Sequence, residues 1–277
     1  MSDFSRDTAP AGFSPAIEVH DLRKLYDQKA AVDGLTLSVP RGCFFGFLGP
    51  NGAGKTTTIK MLTTMLEPSE GTASVAGFDI VKAPAKVRRS IGYVPQALSA
   101  DGGLTGWENL NLSAKLYGIP RAERKGRIED ALQFMALTDF GRKLVKTYSG
   151  GMIRRLEIAQ AMLHRPTVLF LDEPTIGLDP VARRNVWERL LELRRNFQMT
   201  VLITTHAMDE ADELCDHLAI MHLGKVAAIG TPADLKTSVG PGATLDDVFV
   251  HFSGGIIQEE GNYRDVRATR RTVSRLG

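Results

Sequence analysis

The stretch Cys43–Leu62, CFFGFLGPNGAGKTTTIKML, decides how the rest of the chain is read. Its first residues form an unbroken apolar run, the pattern of a β-strand covered on both faces. Glycines at 49, 52 and 54 follow, then Lys55, Thr56 and Thr57, and the remainder has helical character. The spacing satisfies G-x-x-x-x-G-K-[ST] between a strand and a helix, where such a loop cradles phosphate. Gly49, Pro50, Asn51, Gly52, Ala53 and Gly54 can curl backbone N–H groups around a β-phosphate, aided by the positive end of the helix. Lys55 is placed for the β- and γ-phosphates, the Thr56 hydroxyl for Mg²⁺, and Thr57 for the α-phosphate. A nucleotide site is expected here.

Such a site needs a carboxylate for the metal and a group that activates water. Val168–Pro174, VLFLDEP, supplies both at the end of another buried strand. Asp172 is expected to hold Mg²⁺ directly or through water. Glu173, on the γ-phosphate side, can orient or deprotonate the attacking water. His206 ends a third strand, TVLITTH, and Gln96 ends IGYVPQ. Open parallel sheets gather ligands at the carboxyl ends of their strands. That places Gly49, Gln96, Asp172 and His206 on one edge, with Gln96 in reach of the metal or the water.

Around these motifs the chain alternates strand and helix. Residues 1–15 read as a disordered lead, and 253–277 as a flexible Arg-rich tail. Ile17, Val19 and Leu22 roughly alternate with polar residues, as does LTLSV at 35–39, giving antiparallel strands. From about 100 to 150 the pattern becomes helical and amphipathic, with Pro120 as a break, and reads as an inserted subdomain. A helix from about 152, a helix at 181–196, a helix at 207–214 and a final hairpin turning at Leu223-Gly224 complete the order. Thr231 and Pro232 then start another helix.

The composition is that of a globular protein of 277 residues, 43% hydrophobic and 24% charged. A net charge of +2 argues against a chain that coats nucleic acid. Cys43 and Cys215 sit in apolar surroundings and read as core residues of a reducing compartment. The opening MSDFSRDTAPAGFSP lacks the basic and apolar regions of a signal peptide, and no apolar run approaches a membrane span. Any membrane role is expected to rest on the spans of other chains.

These motifs together resemble the nucleotide-binding subunit of an ATP-binding-cassette (ABC) transporter, over residues 16–252. GPNGAGKTT matches the Walker A loop, YVPQ the Q-loop, and YSGGM (Tyr148–Met152) the family signature. VLFLDEP matches Walker B, GLDP the D-loop and TTH the switch histidine. The resemblance implies an α/β P-loop NTPase cassette: a RecA-like, mostly parallel core sheet, an antiparallel β subdomain and an inserted α-helical subdomain. It implies ATP and Mg²⁺ as cofactors, and Tyr26 as the aromatic on which adenine stacks. It implies head-to-tail pairing with a second copy or a homologous cassette. Ser149, Gly150 and Gly151 would close over the partner's ATP, with Asp179 at the seam. Separately encoded transmembrane permease subunits would hold the chain at the cytoplasmic face of the membrane, docked near Leu98, Leu104, Trp107 and Tyr117. Trp107 reads equally well as a core residue of the insertion. No nucleic-acid partner is implied.

The family's usual signature ends in Gln, whereas this one ends in Met152, which cannot donate a hydrogen bond. The YSGGM form, and TLDDVFVHFSG near the C-terminus, resemble the daunorubicin-resistance type of the ABC-2 exporter branch. Other ABC systems, for import or for polysaccharide, lipid or ion export, remain alternatives, as does a soluble cassette acting away from membranes. Single motifs and the lack of zinc-spaced cysteines count against the last.

Overall fold

The computed structural model describes residues 15–253 apart from Gln198. The expected disordered lead and tail therefore lie, except for Pro15 and Ser253, outside the described residues. Strands β1 (Ile17–Tyr26) and β2 (Lys29–Val39) form an antiparallel hairpin. After β3 (Phe44–Leu48), helix α1 (Lys55–Leu62) leads to β4 (Glu70–Val75) and β5 (Phe78–Asp79), giving a first sheet of order β2-β1-β4-β5. The apolar alternation in β1 slips from Val19 to Leu22 because the register shifts there. Asp21 takes φ 45° at the irregularity, and its N–H donates to Thr36 Oγ1 at 2.9 Å. The bulge returns Leu22 to the buried face.

Helix α2 (Pro84–Ser90) precedes β6 (Ile91–Val94), and later come β7 (Val168–Asp172), β8 (Thr200–Thr205), β9 (His217–His222) and β10 (Lys225–Gly230). The second sheet runs β10-β9-β3-β8-β7-β6, parallel throughout except for β10. Its apolar runs have period-two partition between two cores. Phe45, Phe47, Phe170 and Leu202 face the antiparallel sheet, α1 and α2, whereas Phe44, Leu48, Leu169, Leu171 and Ile203 face the later helices. Cys43 and Cys215 are both buried, one in each core.

The helical insertion contains α3 (Gly106–Leu116), started by a Thr105/Glu108 capping box, and α4 (Arg121–Phe134), which begins after Pro120. Helix α5 (Gly150–Met162) starts two residues earlier than its periodicity suggests, because Ser149 caps it by accepting from Met152 N. Trp107 is partly buried against the insertion's apolar residues, with the Arg142 guanidinium 4.7 Å from its ring centroid. That packing accords with the reading of Trp107 as a core residue of the insertion. Helices α6 (Pro180–Phe197), α7 (Met208–Leu214), α8 (Pro232–Val239) and α9 (Leu245–Phe252) complete the fold. Thr231 caps α8 with Pro232 in its first turn, and the β9–β10 turn has positive φ at Leu223 and Gly224.

Candidate nucleotide site

The order β3-β8-β7-β6 sets four parallel carboxyl ends side by side, each about 4.8 Å from the next. Along that edge stand Gly49 after β3, His206 after β8, Glu173 after β7 and Gln96 just beyond β6. Residues far apart in sequence thus meet because the strands are neighbours.

The loop before α1 is held by backbone hydrogen bonds and by the Lys55 side chain. Gly54 has φ 102°, and a Cβ there would lie 2.5 Å from the Ala31 carbonyl oxygen, so no other residue fits. Ala53 is buried among apolar side chains; its N–H donates to Pro50 O at 3.2 Å and its carbonyl accepts from Gly224 N at 3.1 Å. No side chain caps α1, which leaves its first N–H groups and positive end for an anion. Lys55 Nζ donates to Gly49 O at 2.7 Å and Pro50 O at 3.1 Å, and lies 3.4 Å from Glu173 Oε1. Burial lowers the ammonium's pKa, and the Glu173 and Asp172 carboxylates oppose that shift.

Asp172 is buried, and its Oδ1 accepts from Thr56 Oγ1 at 3.2 Å and also from Thr204 Oγ1. Asp172 Oδ1 and Thr56 Oγ1 are the kind of oxygen pair that suits a hard divalent cation. Among the described residues no group of three or more His, Cys, Asp or Glu side chains can hold a metal alone. A cation here would need oxygens from phosphate and water. Glu173 sits at φ 48°, a conformation that costs on the order of 1 kcal/mol for a residue with a Cβ. Its N–H is held by Thr204 O at 3.1 Å and Thr204 Oγ1 at 3.0 Å. His206 Nδ1 stands 3.2 Å from Glu173 Oε2, a buried oxygen that accepts no hydrogen bond. A carboxylate fixed by its backbone at a strand end is the kind of group that can take a proton from water.

Pro50 to Thr57, Gln96, Glu173 and Tyr26 line one cleft of about 630 Å³. Tyr26 is half-exposed at its outer end, with Lys29, Ala30, Ala31 and Leu223 nearby. Ser149, Gly150, Gly151 and Asp179 do not line it. Ser149 and Gly150 are exposed at the start of α5, whereas Gly151 is buried against Ala182, so a Cβ there would approach Ala182 Cβ to 2.8 Å. Asp179 Oδ1 accepts from Val181 N and Ala182 N, capping α6 beside that glycine. A larger cleft of about 690 Å³ lies between α4, α5 and the end of α6. It has arginines at its rim but neither the glycine loop nor the strand-end carboxylates.

Three supports escaped sequence reading. Thr204 joins Asp172 to the Glu173 backbone. Glu210, buried in α7, accepts from Thr175 Oγ1 at 2.7 Å and Trp187 Nε1 at 2.9 Å, tying the turn after Glu173 to the segment after His206. Burial raises its carboxyl pKa. Arg154 and Glu157, on α5, hold the loop that begins at Gln96. A polar residue inside an apolar helical face was the only signal for Glu210, Arg154 and Glu157. Met152 turns its partly buried side chain against the core.

A family model described as ABC transporter matches residues 32–176. The daunorubicin/doxorubicin resistance ATP-binding protein DrrA of Streptomyces peucetius is 48% identical over 225 residues, 81% of this chain and 68% of that protein. The Nod factor export ATP-binding protein I of Ralstonia nicotianae is 43% identical over 226 residues, 82% of this chain and 70% of that one. A solved structure of the ATP binding subunit of an ABC transporter superposes with TM-score 0.76 at 33% identity, covering 86% of this chain and 99% of its own. The family model spans the glycine loop and the strand-end carboxylates of this chain, and the chain belongs to the ABC transporter family, whose ATP-binding cassette it carries.

Proposed function

We propose that the chain is the ATP-hydrolysing subunit of an ABC-2-type exporter of drugs or other hydrophobic compounds, working as a head-to-tail pair at the cytoplasmic face of the membrane. The observation that carries the paired site is a separation. Lys55, Asp172, Glu173, His206 and Gln96 share one edge, while the exposed start of α5 lies outside the cleft that Lys55, Gln96 and Glu173 line. A helix N-terminus with small residues attracts phosphate but supplies no lysine. Set against a second copy, Ser149, Gly150 and Gly151 would meet a γ-phosphate held by that copy's Lys55. Asp179, fixed beside Gly151, would lie at the seam.

In this reading Tyr26 stacks on adenine and the loop from Gly49 to Thr57 holds the phosphates. Asp172, Thr56 and Gln96 hold Mg²⁺, which neutralises phosphate charge when bound. Glu173 accepts the proton of the attacking water at Oε2, and His206 steadies that carboxylate. The ATP-bound closed state then drives the transport stroke through its differential affinity for nucleotide.

Among the described residues no helix is long and apolar enough to cross a membrane. A groove of about 320 Å³, lined by Tyr93, Pro95, Ser99, Leu116 and Tyr117, would receive the permease subunit. Leu98 and Tyr117 are exposed beside it, as is Leu116, an addition to the expected set. Drug resistance and Nod factor export in the names of two similar proteins support export.

Ser149→Arg tests the pairing. Steady-state hydrolysis should fall about a hundredfold, as for loss of a preorganised anion contact. Fluorescent-nucleotide binding to the monomer should change less than about twofold, since Ser149 is outside that monomer's cleft. An equal loss of monomer binding would assign the signature to its own chain.

A further inference from the structure

Arg154 and Glu157 are among the most deeply buried charged side chains of the described structure, each 2% exposed. Neither belongs to the nucleotide cleft. They stand one turn apart on α5, 3.0 Å from each other between Arg154 Nη1 and Glu157 Oε2. Arg154 donates through Nη1 to Pro95 O and through Nη2 to Gln96 O, both at 2.7 Å. Glu157 Oε1 accepts from Ser99 N, from Ser99 Oγ at 3.1 Å and from Ala100 N at 3.2 Å. One ion pair therefore grips both ends of the irregular segment that starts at Gln96. That segment is otherwise exposed, with Gln96, Ala97, Leu98 and Ser99 all open to solvent.

The energetics favour a purpose beyond stability. Two desolvated charges contribute little net stability compared with apolar residues of the same size. Burial lowers the Arg154 pKa, opposed by Glu157. What the pair does confer is geometry, because a guanidinium fork bonding two successive carbonyls fixes both position and orientation. The helix it fixes them to is the one that begins at Ser149. Gln96 lines the chain's own cleft, whereas Ser149 is exposed away from it.

We propose that Arg154 and Glu157 are positioning residues that lock Gln96 to the α5 N-terminus, so that the two nucleotide sites of a pair move together and turn over cooperatively. The inference rests on the head-to-tail reading above. When α5 shifts to meet the partner's nucleotide, Arg154 carries the Gln96 carbonyl with it, and Glu157 carries the segment's far end. The groove for the permease is bounded by Ser99 and Glu157, so docking there bears on the same clamp.

The test uses the full chain with Mg·ATP and the double variant Arg154→Met/Glu157→Met, in which apolar side chains replace the pair and folding is retained. A second variant, Arg154→Lys, keeps the charge but cannot span both carbonyls. The unsubstituted chain should hydrolyse ATP with a Hill coefficient well above 1, and both variants should fall toward about 1. Their kcat should drop about tenfold, with monomer nucleotide affinity unchanged within about twofold. A folded variant that keeps both its cooperativity and its kcat overturns the proposal, as does a kcat loss matched by an equal loss of monomer binding. ATP-driven dimerisation of the Glu173→Gln chain is measured alongside. Dimerisation with unchanged cooperativity in the clamp variants defeats the clamp alone, whereas failure to dimerise defeats the paired-site reading and the clamp with it.

Discussion

Lys55→Ala is expected to cut ATP turnover by about a hundredfold or more, the cost of losing a preorganised charge opposite a reacting phosphate. The side chain has no redundant substitute: among the described residues lining the cleft, the other lysine is Lys29, at the Tyr26 end. Lys55 is buried and aimed by two carbonyl oxygens, so its position needs no reorganisation when phosphate arrives. Its ion pair with Glu173 adds a second effect. Without nucleotide, each neutralises the other inside the site, at 3.4 Å. The alanine variant leaves the Glu173 carboxylate buried without its cation, which should lower thermal stability as well. Nucleotide binding by fluorescence and turnover by phosphate release should both fall, while circular dichroism at 20 °C (about room temperature) stays that of a folded chain. Undiminished turnover would remove the loop from the reaction.

Glu173→Gln separates binding from chemistry. Glutamine keeps the size of the side chain and an oxygen for Lys55, and it tolerates the left-handed backbone no worse than glutamate. What it loses is the basic oxygen facing His206, the one that accepts no hydrogen bond. Hydrolysis should fall about a hundredfold to ten-thousandfold, the range for removal of a general base. Binding should hold or tighten, because a negative charge beside the γ-phosphate is gone. With ATP uncleaved, pairs of chains should persist and light scattering should report twice the monomer mass. A variant that still turns over at the original rate would move the base elsewhere.

Much of this site is legible in the sequence. The apolar run into Gly49, the strand-end pair Asp172-Glu173 and the strand-end His206 each declare themselves locally, through period, glycine spacing and residue type. Parallel-sheet physics then places them on one edge, which the strand order bears out. The slip between Val19 and Leu22 was visible, but its cause, a register shift with Asp21 at positive φ, required the partner strand. Trp107 showed the limit of residue type, since an aromatic in an amphipathic helix fits a docking face and a core alike.

The hidden part consists of long-range polar pairs. Arg154 meets carbonyls 58 and 59 residues away, Glu210 meets Thr175 35 residues away, and Thr204 meets Asp172 32 residues away. No periodicity encodes such partnerships, because each depends on which segments the topology brings together. A charged residue on a buried helical face is nonetheless a physical warning, since burial without a partner is costly. Read that way, Arg154, Glu157 and Glu210 ask for partners that only the fold can name.

The measurement that bears most directly on the account is complementation between two dead chains. Lys55→Ala lacks the acceptor half of the site, and Ser149→Arg lacks the donor half, so neither should hydrolyse ATP alone. Mixed in equal amounts, half of the random pairs would hold one intact composite site, recovering up to about one quarter of the normal activity. A mixture no more active than the sum of its two folded parts would contradict the shared site, and with it the assignment of Ser149, Gly150 and Gly151 to the partner's nucleotide.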